Sequence, residues 1–199
     1  MIVMPTTPLR NTHVTAIHYA QHFSSQECDR IIASAKESAW QPGGVGRQGG
    51  IAVVPETRSC LEQRLPVDER GGFPLSKLSA EVAAINDGLW RFELNGFVID
   101  DLPYLMRYGA GERDHYEWHT DMGRAYSASR KLGFSLQLTD GDDYEGGDLE
   151  FQHVPFDRTE IRKKGALVVF PTFYLHRVAP VTRGTRDVVV GWIHGPSFR

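Results

Sequence analysis

From Leu102 to His194 apolar and polar positions alternate with a period of two, whereas earlier in the chain apolar positions recur three and four apart. Successive side chains of a strand point to opposite faces, and a helix returns to the same face every three to four residues. The change of period predicts helices followed by a β core. The first helix opens at Phe23-Ser24-Ser25-Gln26-Glu27-Cys28, with Ser24 as N-cap, Glu27 completing a capping box and Phe23 set against Cys28 as a hydrophobic staple. Cys28, Ile31, Ile32, Ala35 and Ala39 form its apolar face, and Pro42-Gly43 stops it. Cys28 on that face reads as packing, not as a reactive thiol. A second helix is expected from about Ser76 to Trp90, on Leu78, Val82, Ile85 and Leu89. Between them, Gln41 to Pro55 is too glycine-rich for a regular element and lacks the ending of a phosphate loop. It reads as a mobile loop, either a connector or a lid.

In the β region Leu102, Tyr104, Met106 and Tyr108 alternate with Pro103, Leu105 and Arg107, and Gly109-Ala110-Gly111 ends that strand. Leu132, Phe134, Leu136 and Leu138 alternate with Gly133, Ser135, Gln137 and Thr139. Asp140 to Gly147 is rich in turn residues, Asp148 to Phe151 is a short strand, and Ala166 to Phe170 is an apolar run buried on both faces. Leu175 to Val181 and Arg186 to His194 complete the set. Many short strands after two helices predict a mainly β fold with flanking helices: a jelly-roll barrel or sandwich with the helices packed on one side. Such a barrel has a mouth suited to a ligand, and Gly43 to Gly50 and Met122 to Arg130 are expected to border it. The length suits a single domain over 1–199, with a helical support region over 1–100 and a jelly-roll core over 101–199.

Composition narrows the partners. Hydrophobic residues at 41% and charged residues at 24% are those of an ordinary globular protein. A net charge of -3, with Lys and Arg scattered, leaves no footprint for nucleic acid. Met1 to Arg10 has no basic region followed by an apolar core, so no signal peptide is expected, and no stretch is long enough for a membrane span. Cys28 and Cys60 are too few and too far apart for a disulfide framework or a zinc ribbon, which points to a reducing, cytoplasmic setting.

The candidate chemistry sits in Tyr116-Glu117-Trp118-His119-Thr120-Asp121. On a strand His119 and Asp121 project to the same side. Joined by His176 from a distant strand, they make the two-His-one-carboxylate triad that holds non-haem Fe(II) and leaves positions open for chemistry. Alone, His-x-Asp is common and its histidine an ordinary half-buried one. Arg186 adds context: period two sets it on one face with Val188, Val190 and Trp192, so it points inward if those residues line the barrel. A buried guanidinium needs an anion, and no acidic residue of its strand shares its face, which favours a ligand carboxylate over a salt bridge to another strand. Trp118 and Trp192 read as core or pocket walls. His13, His18 and His22 precede the first helix; no carboxylate is placed with them, and a structural role is expected.

His119-x-Asp121, His176 and Arg186, with Tyr108-Gly-x-Gly before, Tyr144-Glu-Gly-Gly-Asp-Leu between and Val178-x-Pro-Val-Thr-x-Gly-x-Arg186 after, resemble the Fe(II)- and 2-oxoglutarate-dependent dioxygenases. Within them the chain is most similar to the prolyl-4-hydroxylase-like branch, including bacterial PKHD-type hydroxylases, and its helix start Glu27-Cys28-Asp29 resembles that branch too. The resemblance implies a double-stranded β-helix with iron, and the catalytic centre, on His119, Asp121 and His176. It implies 2-oxoglutarate chelating iron through its 2-oxo acid end, with the distal carboxylate on Arg186, a position often lysine in the family. Tyr108 would help there, and Tyr116 and Gln137 would line the cosubstrate pocket; read without the family, Tyr108 is equally an aromatic wedge in the core. The implied reaction uses O2, converts 2-oxoglutarate to succinate and CO2, and hydroxylates an unactivated C–H bond, with ascorbate as reductant. The implied substrate is an amino-acid side chain, free or in a peptide, proline-like by analogy. Asp121 implies hydroxylation, since halogenating relatives lack that carboxylate; Trp192 stands where the nucleic-acid demethylating branch carries a second arginine, which argues against that branch. Two other classes compete: a cupin-like metalloprotein that uses no 2-oxoglutarate, and a non-catalytic binding or carbohydrate-recognition sandwich with structural histidines.

Overall fold

A computed structural model describes residues 16–47, 50–66 and 72–198 of the chain. The stretch Met1 to Arg10, His13, and Gln48 and Gly49 of the glycine-rich segment lie outside the described residues.

Strand β1 (His18–Gln21) leads into helix α1 (Ser25–Ala33). The Glu27 N–H donates to the Ser24 hydroxyl at 3.2 Å, and the Ser24 N–H donates to the Glu27 carboxylate at 2.8 Å. This reciprocal cap satisfies two of the orphan donors of a helix start. The helix is shorter than its apolar period suggests. It ends at Ala33, where the Ser34 hydroxyl donates to the Ile31 carbonyl at 2.6 Å and a 3-10 turn follows over Glu37–Ala39. A serine that bonds its own backbone offers the chain an exit from the helical ladder before the proline is reached.

The segment expected to be a loop over Gln41 to Pro55 instead contains strands β2 (Gln41–Pro42), β3 (Val45–Arg47) and β4 (Gly50–Ala52). β3 and β4 pair antiparallel, Val45 opposite Ala52 and Gly46 opposite Ile51. Pairing runs through the backbone, which glycine supplies as well as any residue, and Gly50 at φ 134° adopts a conformation open to glycine. Strands β5 (Arg58–Ser59) and β6 (Leu61–Arg64) follow, then α2 (Leu75–Gly88), which buries Leu75, Leu78, Val82 and Ile85 as its period predicts. The His18–His22 pair has a partner that local sequence does not reveal. Their Nε2 atoms lie 2.8 Å apart, and His22 Nδ1 sits 2.7 Å from Glu81 on α2. The absence of a carboxylate expected there is thereby corrected, since α2 brings one from a distance.

The remaining strands are β7 (Tyr104–Gly109), β8 (His115–His119), β9 (Arg130–Gln137), β10 (Glu145–Gly146) and β11 (Leu149–Phe151). After the short helix α3 (Arg158–Ile161) come β12 (Ala166–Pro171), β13 (His176–Val178), β14 (Val181–Arg183) and β15 (Thr185–His194). They form a seven-stranded antiparallel sheet, β1-β12-β9-β15-β7-β6-β2, and a four-stranded one, β11-β13-β8-β5, with β10 paired to β14. The architecture is a jelly roll with α1 and α2 on one side. Strands β1, β2, β5 and β6, from the first hundred residues, extend both sheets, so that region contributes more than helical support.

Period two sorts the large sheet into two buried faces. Leu105, Leu132, Phe134, Leu136, Leu167, Val169, Val189 and Ile193 share one cluster with Cys28 and Ile31 of α1 and Leu78 and Val82 of α2. The opposite face turns to the small sheet: Met106, Tyr108 and Val188 cluster with Cys60, Val178 and Val181, and Val168 and Phe170 with Leu149 and Phe151. The polar row of β9 belongs to this inner face, so Ser135 and Gln137 are buried although their alternation resembles a solvent edge. Among the described residues no helix is long and apolar enough to cross a membrane.

Candidate metal centre and its surroundings

His119 and His176 lie directly opposite each other on β8 and β13. The next pairing on these strands is Tyr116 with Val178, so Glu117 and Trp118 together face Arg177. This is a bulge, and it breaks the period of two. Regular alternation would put Tyr116 and His119 on opposite faces; the extra residue puts them on the same one. Their rings stack with centroids 3.6 Å apart and planes 18° from parallel. The same bulge turns Trp118 outward. It is 39% exposed, with the Arg177 guanidinium 4.8 Å from its ring and Glu150 holding Arg177 at 2.6 Å. Trp118 is therefore neither core nor pocket wall.

The two imidazoles are oriented by backbone carbonyls. His119 Nδ1 is 2.7 Å from the Glu117 oxygen, and His176 Nδ1 is 2.9 Å from the Tyr174 oxygen. Carbonyls only accept, so each Nδ1 carries the hydrogen and each Nε2 keeps its lone pair free. β8 stops at His119, and Asp121 lies beyond it, held by its own N–H to the Thr172 carbonyl at 3.0 Å. Its carboxylate oxygens reach 3.7 Å from His119 Nε2 and 3.6 Å from His176 Nε2. One ligand atom from each of the three residues falls within 4.8 Å of the others, a spacing that can hold a metal ion. Burial and then the neighbouring His176 hold the His119 imidazole down to about 4, so it is neutral and ready to donate at pH 7. Burial alone would raise Asp121, but His176, His119 and a hydrogen bond from Trp192 outweigh it and lower its pKa.

Gly133 makes room for this carboxylate. A Cβ there would stand 2.9 Å from Asp121 Oδ2 and 3.0 Å from the Phe170 ring. Gly133 pairs with Trp192 on β15 and Phe170 on β12, so the carboxylate is seated over a glycine between two aromatic residues. Trp192 is thus a hydrogen-bond donor to a candidate ligand as well as a wall.

Arg186 is 3% exposed. Its Nε donates to the Gln137 side-chain oxygen at 3.1 Å, while Nη1 is buried with no hydrogen-bond partner. Among the described residues no carboxylate lies within ion-pair distance of it. Gln137 is itself fixed, donating to the Thr139 carbonyl at 2.9 Å and the Tyr144 hydroxyl at 3.2 Å. Tyr108 pairs with Arg186 across β7 and β15, with the guanidinium 5.7 Å from its ring centroid. Burial, followed by Cys60, raises its phenol far above the usual range, so it is a neutral donor. The sequence reading passed over Arg58. It is buried on β5 opposite Tyr116, 5.0 Å from that ring centroid, and donates to Glu62 at 2.9 Å and the Gly44 carbonyl at 2.6 Å. No local pattern flags it, because Glu62 alone is near it in sequence, while Gly44, Met106 and Tyr116 reach it from separate strands and loops.

Residues 104–194 match the family described as the 2OG-Fe(II) oxygenase superfamily. A PKHD-type hydroxylase of Bordetella pertussis is 29% identical over 183 residues, covering 89% of this chain and 77% of that protein. One from a Synechococcus strain is 42% identical over 78 residues, 39% of this chain and 36% of that protein, so the match spans little more than a third of that relative's length. Among solved structures, a Pseudomonas putida prolyl-4-hydroxylase superposes with a TM-score of 0.64 at 22% identity, covering 92% of this chain and 94% of that one. A Trichoplax adhaerens prolyl hydroxylase in complex with a hypoxia inducible factor peptide fragment gives 0.69 at 17% identity, over 92% and 84%. At these identities the structural likeness is one of fold.

Proposed function

We propose that this chain, which belongs to the 2OG-Fe(II) oxygenase superfamily, is an Fe(II)- and 2-oxoglutarate-dependent hydroxylase of an unactivated C–H bond in a peptidyl, proline-like side chain. The observation that carries the proposal is the buried guanidinium of Arg186, without a counter-ion among the described residues, in the same barrel interior as two imidazoles and a carboxylate that converge. A lone metal centre needs no such cation, and a dry cation without an anion is costly.

The donor set fits iron. Two imidazole nitrogens and one carboxylate are the ligands that non-haem Fe(II) takes while keeping positions open, so His119, Asp121 and His176 would hold it. Bound Fe(II), with 2-oxoglutarate and O2, supplies the oxidising power for hydroxylation. The chain's own residues do the rest. The Glu117 and Tyr174 carbonyls keep the imidazole Nε2 atoms aimed at the centre. Arg186 receives the distal carboxylate of 2-oxoglutarate, and Gln137, by holding Nε, sets the plane of the fork and leaves Nη1 to donate. Tyr108 and Tyr116 wall the cosubstrate pocket, and Met106, Val181 and Val188 keep water from it.

The substrate class is read from the names of the similar proteins, PKHD-type hydroxylases and prolyl hydroxylases, one of them in complex with a peptide fragment. On the same reading the chain acts as one domain in the cytoplasm with ascorbate as reductant, its net charge of -3 offering little to nucleic acid or anionic membrane. The test is mass spectrometry of proline-containing peptides and free amino acids incubated with the protein, Fe(II), 2-oxoglutarate, ascorbate and 18O2. Gain of one labelled oxygen on a proline is expected. Consumption of 2-oxoglutarate with no labelled product in any pool would overturn the substrate class, and labelled product from a free amino acid alone would replace the peptidyl reading.

A further inference from the structure

Asp121 lies past the end of its strand, and the groups that orient its carboxylate form a line leading away from it. Trp192 pairs with Gly133, over which the Asp121 carboxylate is seated, and a hydrogen bond from it helps to hold that carboxyl below its ordinary pKa. The Arg130 guanidinium lies over the Trp192 ring, 3.5 Å from its centroid, and Nη1 donates to the Asp121 carbonyl at 3.3 Å. Arg130 is gripped in turn by both oxygens of Asp101, Nε to Oδ2 at 2.6 Å and Nη2 to Oδ1 at 2.7 Å. Asp101, 3% exposed at the end of a 3-10 turn over Ile99–Asp101, is also 3.0 Å from His194 Nε2, whose Nδ1 is 2.8 Å from the Ser129 hydroxyl.

A buried ion pair is weak evidence for stability, because desolvating both charges offsets much of their attraction. Its geometric effect is firmer. A carboxylate that takes two N–H groups of the planar fork permits one orientation of the guanidinium. Here that orientation sets Arg130 over the Trp192 ring, 3.5 Å from its centroid, and against the Asp121 carbonyl.

We infer that Asp101 and Arg130 are positioning residues which, through Trp192, set the direction of the Asp121 carboxylate and so the affinity of the centre for a divalent metal. The inference rests on the reading of Asp121 as a metal ligand. Nothing else in that reading requires the ion pair, whose carboxylate grips Arg130 and does not itself touch the centre. The competing role is purely structural, tying the Ile99–Asp101 turn to β9 and β15.

The two roles separate in a Co(II) titration of the metal-free protein, followed by its visible absorption, alongside thermal unfolding. The variants are Trp192→Phe, Asp101→Asn and the double substitution. Outer partners of metal ligands are worth about 10- to 100-fold in affinity. Each single variant is expected to bind Co(II) at least about 10-fold more weakly than wild type, at the low end of that range. The double variant is expected to bind no more weakly than the weaker single, since both act on one carboxylate. Should Asp101→Asn fail to fold, Arg130→Lys keeps the charge opposite Asp101 but removes the planar fork, and is expected to weaken Co(II) binding in a folded protein. Folded variants with wild-type Co(II) affinity, or losses that add in the double variant, would overturn the inference alone. A wild-type protein that takes up no Co(II) would overturn the metal reading of the centre, and the inference with it.

Discussion

Replacing Arg186 by methionine should push ligand binding and folding stability in opposite directions. The guanidinium is 3% exposed, its Nε is satisfied by Gln137, and its Nη1 has no partner among the described residues. Holding a cation dry without a counter-ion costs the ligand-free protein several kcal/mol, by order of magnitude, and an apolar chain of similar length relieves that cost. Binding loses what folding gains. Two charge-assisted hydrogen bonds to a carboxylate, at about 1.5–3 kcal/mol each, make about 3–6 kcal/mol, or roughly a hundred- to ten-thousand-fold in Kd. The assay is calorimetric titration of 2-oxoglutarate into Mn(II)-loaded wild type and Arg186→Met, with thermal unfolding of both in the absence of ligand. Arg186→Lys, which keeps the charge but not the fork, should fall between them. An Arg186→Met protein that unfolds several degrees below wild type, yet binds 2-oxoglutarate within a factor of two, would refute the reasoning and make the arginine a structural group.

Gly133→Ala puts a methyl group 2.9 Å from Asp121 Oδ2 and 3.0 Å from Phe170. Overpacking of this kind costs about 1–3 kcal/mol, and Co(II) affinity should fall with it; a variant as stable and as tight-binding as wild type would show that the seat is looser than the distances say. Ser24→Ala removes the cap of α1 and should lower stability by about 1 kcal/mol, or about 2–4 °C in Tm for a chain of this size, read by thermal unfolding. His119 takes up its proton near 6.5 when unfolded and about 4 in the fold. Between those values the unfolded state binds more protons, so stability falls as pH falls, by up to about 3 kcal/mol, and is constant in this respect above 6.5. Urea unfolding of the metal-free protein at pH 7.5 and 4.5 measures the difference, and equal stabilities would contradict the burial of that imidazole.

The residues of the candidate centre were legible in the sequence by their type, and the residues packed around them were not. His119, Asp121 and His176 converge and Arg186 lies buried with Gln137 and Tyr108, but Asp121 joins the histidines from beyond the end of β8 and not, as period two expects, from the strand itself. Period two failed where the backbone departs from it. The bulge at Glu117 and Trp118 sends an aromatic residue outward and stacks Tyr116 on His119, and alternation cannot announce an inserted residue. The row Gly133, Ser135 and Gln137 resembles a solvent face because its polarity serves the interior of a site. Glycine content concealed the β3–β4 hairpin, and Ser34 ended α1 early. Asp101, Arg130 and Arg58 act through contacts distant in sequence, where charge and spacing leave no local signature.

The central claim, that one interior holds a divalent metal and 2-oxoglutarate for a shared reaction, is tested most directly by succinate formation. Purified protein given Fe(II), 2-oxoglutarate, ascorbate and air should form succinate, and His176→Ala and Arg186→Ala should not, while Ser24→Ala, far from the centre, should. Wild-type protein that forms no succinate and binds no 2-oxoglutarate, or an Arg186→Ala protein that forms it at the wild-type rate, would contradict the account.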